Sequence, residues 1–470
     1  MEIETTQDRK AVSGGDEFAI MIAPAAVRGG SGISEYVVAV DASASMTWPA
    51  APASAASRWD LARAGLIRMV ERLGGSHIHV YLFDGRVSHV ASGAAATLRG
   101  KLGQQLPTRI DGNNGTNIGE ALDTAYRRLA GSTATSRRLI LLTDGEPTVG
   151  VIDHGRLVAV AQRAAHDDLY TDAIGYGAEA NIDLLLGLSR YGQCQHVRSN
   201  GEGATAVDRF LTEIVVWGKD MTASGGQLRV RVHPAVAVAG VYQVYPRQER
   251  ILSAGTDGDF TLTLGAMGDH DRRPAYVFRL RAPEGLVTQG PVAVLRATGE
   301  IRTRSGVETL GSAEVAVTVV RHRKTPKDPE LLRQVDGIDL EAETAERLRT
   351  AAADEHPTII RQARDRARDL GSTHLVQQYT DSLTSLEAGL HANDVRNYQR
   401  AASSRGQTKP LTLLRRVPLM PVDAPVLPTV DDDDDDPTSA AAAPATNAPA
   451  PTTMNPVAQA YLDVDTEAGR

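Results

Sequence analysis

Residues 37–46 read VVAVDASASM, and this stretch decides how the rest of the chain is interpreted. Its apolar half predicts a short strand that is buried on both faces, as in a parallel sheet covered by helices. Asp41 then lies at the carboxyl end of that strand, which is the edge where open α/β sheets bind their ligands. One carboxylate and two hydroxyl groups follow each other within five residues, and hard divalent cations such as Mg²⁺ accept such an oxygen set.

Two later stretches are expected to meet the first one at the same edge. Residues 114–122, NGTNIGEAL, place Thr116 in a glycine-flanked loop just before a helical pattern. Residues 139–147, LILLTDGEP, predict a second buried strand that ends in Asp144 and a turn. Because the carboxyl ends of parallel strands lie at one edge of a sheet, the two aspartates and the threonine can converge there.

These three pieces, in this order, resemble the metal-ion-dependent adhesion site of von Willebrand factor A (VWA) domains. In that family, Asp-x-Ser-x-Ser is followed by a Thr and then by an Asp in a Thr-Asp-Gly turn. The resemblance covers roughly residues 34–218, which is under half of the chain. Its metal-site positions correspond here to Asp41, Ser43, Ser45, Thr116 and Asp144. Each piece alone is also compatible with an ordinary strand-end turn that binds no metal.

The resemblance implies a bound Mg²⁺ or Mn²⁺ ion, with Thr116 as a direct ligand in one conformation and Asp144 acting through a water. With only two carboxylates the metal stays electrophilic, and an open coordination position then favours an Asp or Glu of a partner protein. We therefore predict a metal-dependent protein–protein interaction module that acts as an intracellular scaffold or regulator and is not an enzyme. Bacterial proteins that it resembles often act beside AAA+ ATPases or Ser/Thr kinase and phosphatase systems.

The alternative function is a metal-dependent hydrolase, and the residues favour it less. A phosphatase that forms an aspartyl-phosphate needs a second acid two residues after the first, and that position is Ser43. The chain has no Walker motif, and two-metal hydrolysis needs more acids and histidines near the site. Glu146 and Asp111 are nearby in sequence, and we interpret them as residues of turns or of ligand selectivity.

Two other features of this region have competing interpretations. His77 and His79 lie two apart on one face of a predicted strand, and we interpret the pair as packing or surface residues, with metal ligation as the alternative. Trp48 lies just beyond the Ser-x-Ser turn. It is either an anchor for a partner on the rim of the metal face or a simple cover for the loop.

Length and composition predict a soluble protein of two or three domains. The chain has 470 residues, 42% of them hydrophobic but only 4% aromatic, so aliphatic side chains must fill its cores. It contains no run of about 20 apolar residues, so we expect no membrane-spanning helix. The polar amino terminus and the single cysteine, Cys194, favour a cytoplasmic location over an exported, disulfide-bonded one.

The net charge is unevenly distributed along the chain. Residues 431–470 contain nine acidic residues and one arginine, so this segment accounts for the whole net charge of −8. A neutral body with an acidic tail argues against nucleic acid as a partner.

Patterning divides the chain into six segments. Alternating strands and helices predict an α/β, doubly wound, Rossmann-like domain, which the resemblance implies is a VWA domain. Period-two alternation predicts an antiparallel β-sandwich after it, and helical patterns then predict a small helical region. The segments are a disordered amino terminus (1–15), a strand that packs on the β domain (16–33), the VWA domain (34–218), the β-sandwich (224–322), the helical region (328–403) and a disordered acidic, Pro/Ala-rich tail (404–470). The stretch LGAM at residues 264–267, followed by Arg273, is similar to the β domain that trails VWA domains in several bacterial proteins.

Overall fold

The fold is described from a computed structural model. It describes residues 2–25, 33–50, 54–73, 75–111, 115–198, 203–219, 221–253, 258–268, 273–285, 287–303, 305–321 and 330–403. The predicted acidic tail, residues 404–470, lies outside the described residues. In the described part of the chain, no helix has the length and apolar character needed to cross a membrane.

Strands alternate with helices in the first half of the chain and dominate its middle. The strands are β1 (Ile3–Gln7), β2 (Ala11–Ser13), β3 (Glu17–Pro24), β4 (Ser34–Asp41), β5 (His77–Phe83), β6 (Val87–Ala94), β7 (Ser136–Thr143), β8 (Leu169–Tyr176), β9 (Cys194–Val197), β10 (Met221–Val232), β11 (Ala237–Tyr245), β12 (Glu249–Ser253), β13 (Asp259–Leu264), β14 (Met267–Gly268), β15 (Ala275–Arg281), β16 (Val292–Thr303) and β17 (Gly306–Val320). The helices are α1 (Arg58–Arg72), α2 (Ala95–Leu98), α3 (Leu102–Gln105), α4 (Ile118–Ala130), α5 (His154–His166), α6 (Ile182–Leu188), α7 (Gly203–Lys219), α8 (Glu330–Thr350), α9 (His356–Asp369), α10 (Thr373–Glu387) and α11 (Ala392–Ser403).

A six-stranded sheet with helices on both faces forms the α/β part of the chain. Its strand order is β6-β5-β4-β7-β8-β9, with β6 antiparallel and the other neighbours parallel. Successive residues of β4 enter different cores: Val38 packs with residues of α1 and α7, whereas Val37 packs with residues of α4, α5 and α6. The mixed α/β fold predicted from the sequence, with a central sheet and covering helices, is confirmed.

Two further sheets pack against each other through a shared core. One has the order β1-β3-β15-β11-β12, and the other has the order β13-β10-β16-β17-β2, with β14 paired to β10. Phe18 and Phe278 of the first sheet lie in the same hydrophobic cluster as Leu228 and Ile301 of the second. Because β3 pairs with β15, the α/β part of the chain is inserted between strands of one sheet.

The expected disorder of residues 1–15 is wrong, because the structure contains β1 and β2 there. Ile3 and Val12 are buried in the core that the two sheets share. The Asp8 carboxylate also accepts hydrogen bonds from the backbone N–H groups of Leu331 and Leu332, at 2.9 and 3.1 Å, in the first turn of α8. The polar composition of this segment concealed strands that are buried only once they pair with β3 and β17.

The helical region begins with one long helix. Helix α8 runs unbroken from Glu330 to Thr350. Its first half packs Val335 and Ile338 on the five-stranded sheet, so the chain stays helical through Gly337. Helices α8 to α11 share a core of their own, and α11 also packs on β9 and α6 of the α/β part.

Arg138 of β7 and Asp172 of β8 form a fully buried ion pair with two hydrogen bonds of 2.6 Å. We expect Arg138→Ala to lower the free energy of unfolding by about 3 to 5 kcal/mol, because the Asp172 carboxylate would remain buried without its partner. Urea denaturation measures the change. The control is Arg127→Ala, which removes an exposed pair with Asp123 and should cost less than about 1 kcal/mol. Equal losses of unfolding free energy in the two variants would contradict the expectation that the buried ion pair matters more than the exposed one.

Candidate functional site

The predicted metal-site residues lie at the carboxyl edge of the six-stranded sheet. Asp41 is the last residue of β4, and Asp144 directly follows β7, which pairs with β4 in parallel register. Beyond Asp41 the chain forms a single 3₁₀ turn, Ala44–Thr47, which contains Ser45. The local sequence therefore produces a strand end and a tight turn that return Ser45 toward Asp144.

Four of the five predicted residues form one hydrogen-bonded chain. The Ser43 backbone N–H donates to Asp41 Oδ1 at 2.8 Å, and the Ser43 and Ser45 hydroxyl oxygens lie 3.2 Å apart. Ser45 Oγ donates to Asp144 Oδ1 at 2.7 Å. Thr143, which the sequence interpretation did not select, donates its hydroxyl proton to Asp41 Oδ2 at 2.5 Å. Oxygen atoms of two carboxylates and two serines thus converge at one place.

The fifth predicted residue, Thr116, lies on the adjoining loop before α4. Its backbone N–H donates to Thr148 Oγ1 at 2.8 Å, and the Thr148 N–H donates to the Thr116 carbonyl at 3.0 Å. The loop that follows Asp144 therefore holds the Thr116 loop. Thr116 Oγ1 faces Gly145, where an added β-carbon would lie 3.8 Å away. The threonine is buried beside the residue that follows Asp144 and has no hydrogen bond to Asp41 among the contacts of the described residues.

Asp41 is a buried carboxylate surrounded by neutral donors. Burial is the largest of the effects that raise its pKa to about 7, and the negative charge of Asp144 acts in the same direction. Hydrogen bonds from Thr143 and Ser43 lower it but do not compensate. A buried carboxylate beside a second acid is stable as an anion only where a positive charge lies close to it. The donor set and its electrostatics therefore fit a hard divalent cation.

Arg58, at the start of α1, is the positive charge that the sequence interpretation missed. It donates to Asp144 Oδ2 at 2.6 Å and to Glu179 Oε2 at 2.5 Å, and only 7% of its side chain is exposed. Burial raises the pKa of Asp144, and the hydrogen bonds from Arg58 and Ser45 act against that rise. No periodicity or motif in the sequence indicates a contact between residues 86 positions apart.

The loop that contains Glu179 is held by α11, the last helix that the structure describes. Asn397 of α11 donates its side-chain amide to the carbonyls of Ala178 and Ala180, at 3.2 and 2.9 Å. At the start of the loop, Gly177 has φ +77°, and a β-carbon there would lie 2.4 Å from a terminal nitrogen of Arg58, so both backbone and space require glycine. Helix α11 thus supports the segment that orients Arg58.

Two large apolar side chains are exposed on loops at this edge. Trp48 follows the 3₁₀ turn and is 49% exposed, and Ile152 lies between β7 and α5 and is 59% exposed. The guanidinium carbon of Arg58 lies 5.3 Å from the centre of the Trp48 ring. The aromatic side chain therefore lies beside the candidate site with about half of its surface open to solvent.

Comparisons with known proteins bear on residues 36–146 and on the fold. Residues 36–146 match the family profile described as von Willebrand factor type A domain. The structure is similar to von Willebrand factor type A from Catenulispora acidiphila, with 16% identity, 86% of this chain and 96% of that chain covered, and a TM-score of 0.67. It is also similar to the ArnB paralog VWA2 from Sulfolobus acidocaldarius, with 15% identity, coverages of 86% and 98%, and a TM-score of 0.52. No curated protein matches the chain in sequence.

The raised pKa of Asp41 predicts a pH-dependent stability difference when divalent ions are removed. The folded state takes up a proton that the unfolded state releases near pH 3.8, so wild-type stability falls as the pH rises from about 4 to about 7. Asp41→Asn cannot titrate. In EDTA its free energy of unfolding relative to wild type should therefore rise over that interval, by up to about 4 kcal/mol. Denaturation at several pH values measures the difference, and a flat difference would contradict the prediction.

Proposed function

This chain contains a von Willebrand factor type A domain, and from that premise we propose that it is a metal-dependent protein–protein interaction module. VWA domains are generally modules of protein interaction. In this proposal the protein acts as an intracellular scaffold or regulator and binds an acidic residue of a partner. One observation carries the proposal: the hydrogen-bonded convergence of Asp41, Ser43, Ser45 and Asp144 at one edge of the sheet.

We assign the metal-binding role to Asp41, Ser43, Ser45, Thr116 and Asp144. Carboxylate and hydroxyl oxygens suit Mg²⁺ or Mn²⁺, and the Asp41 carboxylate has only neutral donors around it. A bound ion would supply a positive charge and a coordination position for an external carboxylate. The residues of this chain orient that position, because Ser45 is held by Asp144 and the Thr116 loop is held by Thr148.

The electrostatics of the rim support a requirement for metal in partner binding. Glu146 and Glu179 lie on the loops around the site, and about half of each side chain is exposed. Arg58, the nearby cation, is buried and already paired with two acids. An acidic partner would therefore be repelled by the rim unless a metal ion faces it. Trp48 beside the site would provide an apolar anchor for the same partner.

The partner classes implied by the family resemblance are AAA+ ATPases and Ser/Thr kinase or phosphatase systems, and they remain proposals. So does the division of the chain into a VWA domain, a β domain and a helical region, which separate hydrophobic clusters support. We retain the non-enzymatic proposal because the residue two positions after Asp41 is Ser43, which cannot act as a carboxylic acid catalyst.

Metal titration and partner capture with the full chain test this function. We expect one Mg²⁺ or Mn²⁺ site by calorimetry, lost in Asp41→Ala while circular dichroism shows an unchanged fold. Asp84→Ala is the matched control, because Asp84 directly follows the neighbouring strand β5 and its carboxylate accepts a hydrogen bond from the Arg86 backbone N–H, not from a residue of the site. Proteins retained from a lysate by wild type and the control in Mg²⁺ should be released by EDTA and not retained by Asp41→Ala. Unchanged metal affinity in Asp41→Ala would contradict the assignment.

Replacement of Arg58 by an uncharged residue is expected to tighten metal binding. Arg58→Met removes a positive charge 2.6 Å from Asp144, so we expect Mg²⁺ affinity to rise at least about tenfold, or about 1.4 kcal/mol. Without Mg²⁺ the same variant should melt at a lower temperature, because the Asp144 carboxylate loses its cation. Arg68→Met on the same helix, which removes a pair with Asp208, should change neither property of the site. Weaker Mg²⁺ binding in Arg58→Met would be the opposite of what this geometry predicts.

A further inference from the structure

A second constellation of metal-ligand side chains lies at the opposite end of the same sheet. Glu35 is the second residue of β4, and His77 and His79 lie at the start of β5. The parallel register places Glu35 opposite His77 and Val37 opposite His79. Because Glu35 precedes Asp41 by six residues on one strand, about 20 Å separates this cluster from the candidate site around Asp41.

The three side chains present their donor atoms to one point. His77 Nδ1 lies 3.0 Å from His79 Nε2, and His79 Nε2 lies 2.9 Å from Glu35 Oε1. All three ligand atoms lie within 4.8 Å of one another. Tetrahedral Zn²⁺ with bonds of about 2.0 to 2.1 Å separates neighbouring ligand atoms by roughly 3.3 Å. The cluster therefore already has nearly the spacing of three corners of a zinc site.

Hydrogen bonding alone does not satisfy these contacts. A proton on His79 Nε2 can point at Glu35 Oε1 or at His77 Nδ1, but it cannot lie along both lines at once. If His77 Nδ1 carries the proton instead, the Glu35 oxygen faces a lone pair of His79. A divalent cation accepts all three lone pairs together. Glu35 is also oriented from behind, because Ser132 Oγ donates to its other oxygen at 2.5 Å, as supporting residues do around metal ligands.

Arg128 is the group that would oppose a cation at this place. Its Nε lies 3.0 Å from His79 Nε2, and one of its terminal nitrogens lies 3.7 Å from Glu35 Oε1. Arg128 lies in the last turn of α4, and 46% of its side chain is exposed, so it can turn into solvent without disturbing the core. It is a replaceable counter-ion for Glu35.

We propose that Glu35, His77 and His79 bind a transition-metal ion of the zinc class. This site is separate from the candidate site around Asp41. Two imidazoles and one carboxylate suit Zn²⁺, whereas the carboxylates and hydroxyls around Asp41 suit hard cations. Three protein ligands leave a fourth position for water or for a ligand from a partner. The ion joins β4 to β5, so it stabilises the amino-terminal end of the strand that ends in Asp41. Of the two interpretations that the sequence left open for the histidine pair, this proposal takes metal ligation.

Titration of the full chain, without an affinity tag, tests the proposal. Saturating Mg²⁺ is present throughout, Zn²⁺ affinity is measured by competition with a chromophoric chelator, and Co²⁺ reports geometry by its visible absorption. We expect one Zn²⁺ per chain and a tetrahedral Co²⁺ spectrum. Glu35→Gln and His77→Gln should each weaken Zn²⁺ binding at least tenfold, while Arg128→Gln should strengthen it. His89→Gln, on the adjacent strand β6, is the matched control and should bind as wild type does.

Asp41→Ala separates this proposal from the proposed function. It should lose Mg²⁺ binding and keep the zinc-class site, whereas His77→Gln should keep Mg²⁺ binding. Absence of stoichiometric Zn²⁺ binding by wild type, absence of the Co²⁺ spectrum, or undiminished binding by both ligand variants would overturn the assignment. The Zn²⁺ stoichiometry and the Co²⁺ spectrum of wild type test the proposal even where a ligand variant fails to fold. Weaker Zn²⁺ binding by Arg128→Gln than by wild type would also contradict it.

Discussion

The candidate site depends on the burial of two carboxylates at the ends of adjacent parallel strands. Asp41 and Asp144 are inaccessible to solvent, because β4 and β7 are covered by helices on both faces up to the point where the acids follow. Neither side chain can turn outward as a surface acid would. Serine, threonine and arginine must therefore satisfy their oxygens, and the charge of Asp144 is balanced by Arg58 while that of Asp41 is not. This imbalance is what supports the proposed metal site at this edge.

The need to neutralise the buried Asp144 carboxylate connects the site to distant parts of the chain. Arg58 reaches Asp144 and Glu179, and the segment that contains Glu179 is bonded by Asn397 of α11. His196 of β9 adds to this contact, because its Nε2 donates to the Gly177 carbonyl at 2.8 Å and lies 3.3 Å from Asp394 of α11. The last described helix is therefore linked to Asp144 through the loop of Glu179 and through Arg58, although its Val395 packs in the core of the helical region.

Strand β4 presents two kinds of ligand chemistry at its two ends. Carboxylates and hydroxyls gather at its carboxyl end, and two imidazoles and a carboxylate gather at its amino end. Strands β4 and β5 run parallel, so their amino ends lie side by side at one end of the sheet and their carboxyl ends lie side by side at the other. One strand can therefore contribute side chains to a site at each end. What differs between the ends is the set of side chains that the neighbouring loops and helices add, with Arg58 at one end and Arg128 at the other.

The sequence by itself determined the α/β fold and the residues that end its central strands. The apolar runs before Asp41 and Asp144 are local properties of the sequence, and each predicts a strand that ends next to an acid. The spacing of Ser43 and Ser45 after Asp41 is also local, and it places them in the turn that follows the strand. It did not determine the strands in residues 3–13 or the unbroken helix α8, because those elements are stable only against partners that lie far away in sequence. Nor did it indicate Arg58 and Glu179, which lie 121 residues apart. Only the tertiary structure decided which charges meet, because contacts between loops at a sheet edge follow no periodicity along the chain.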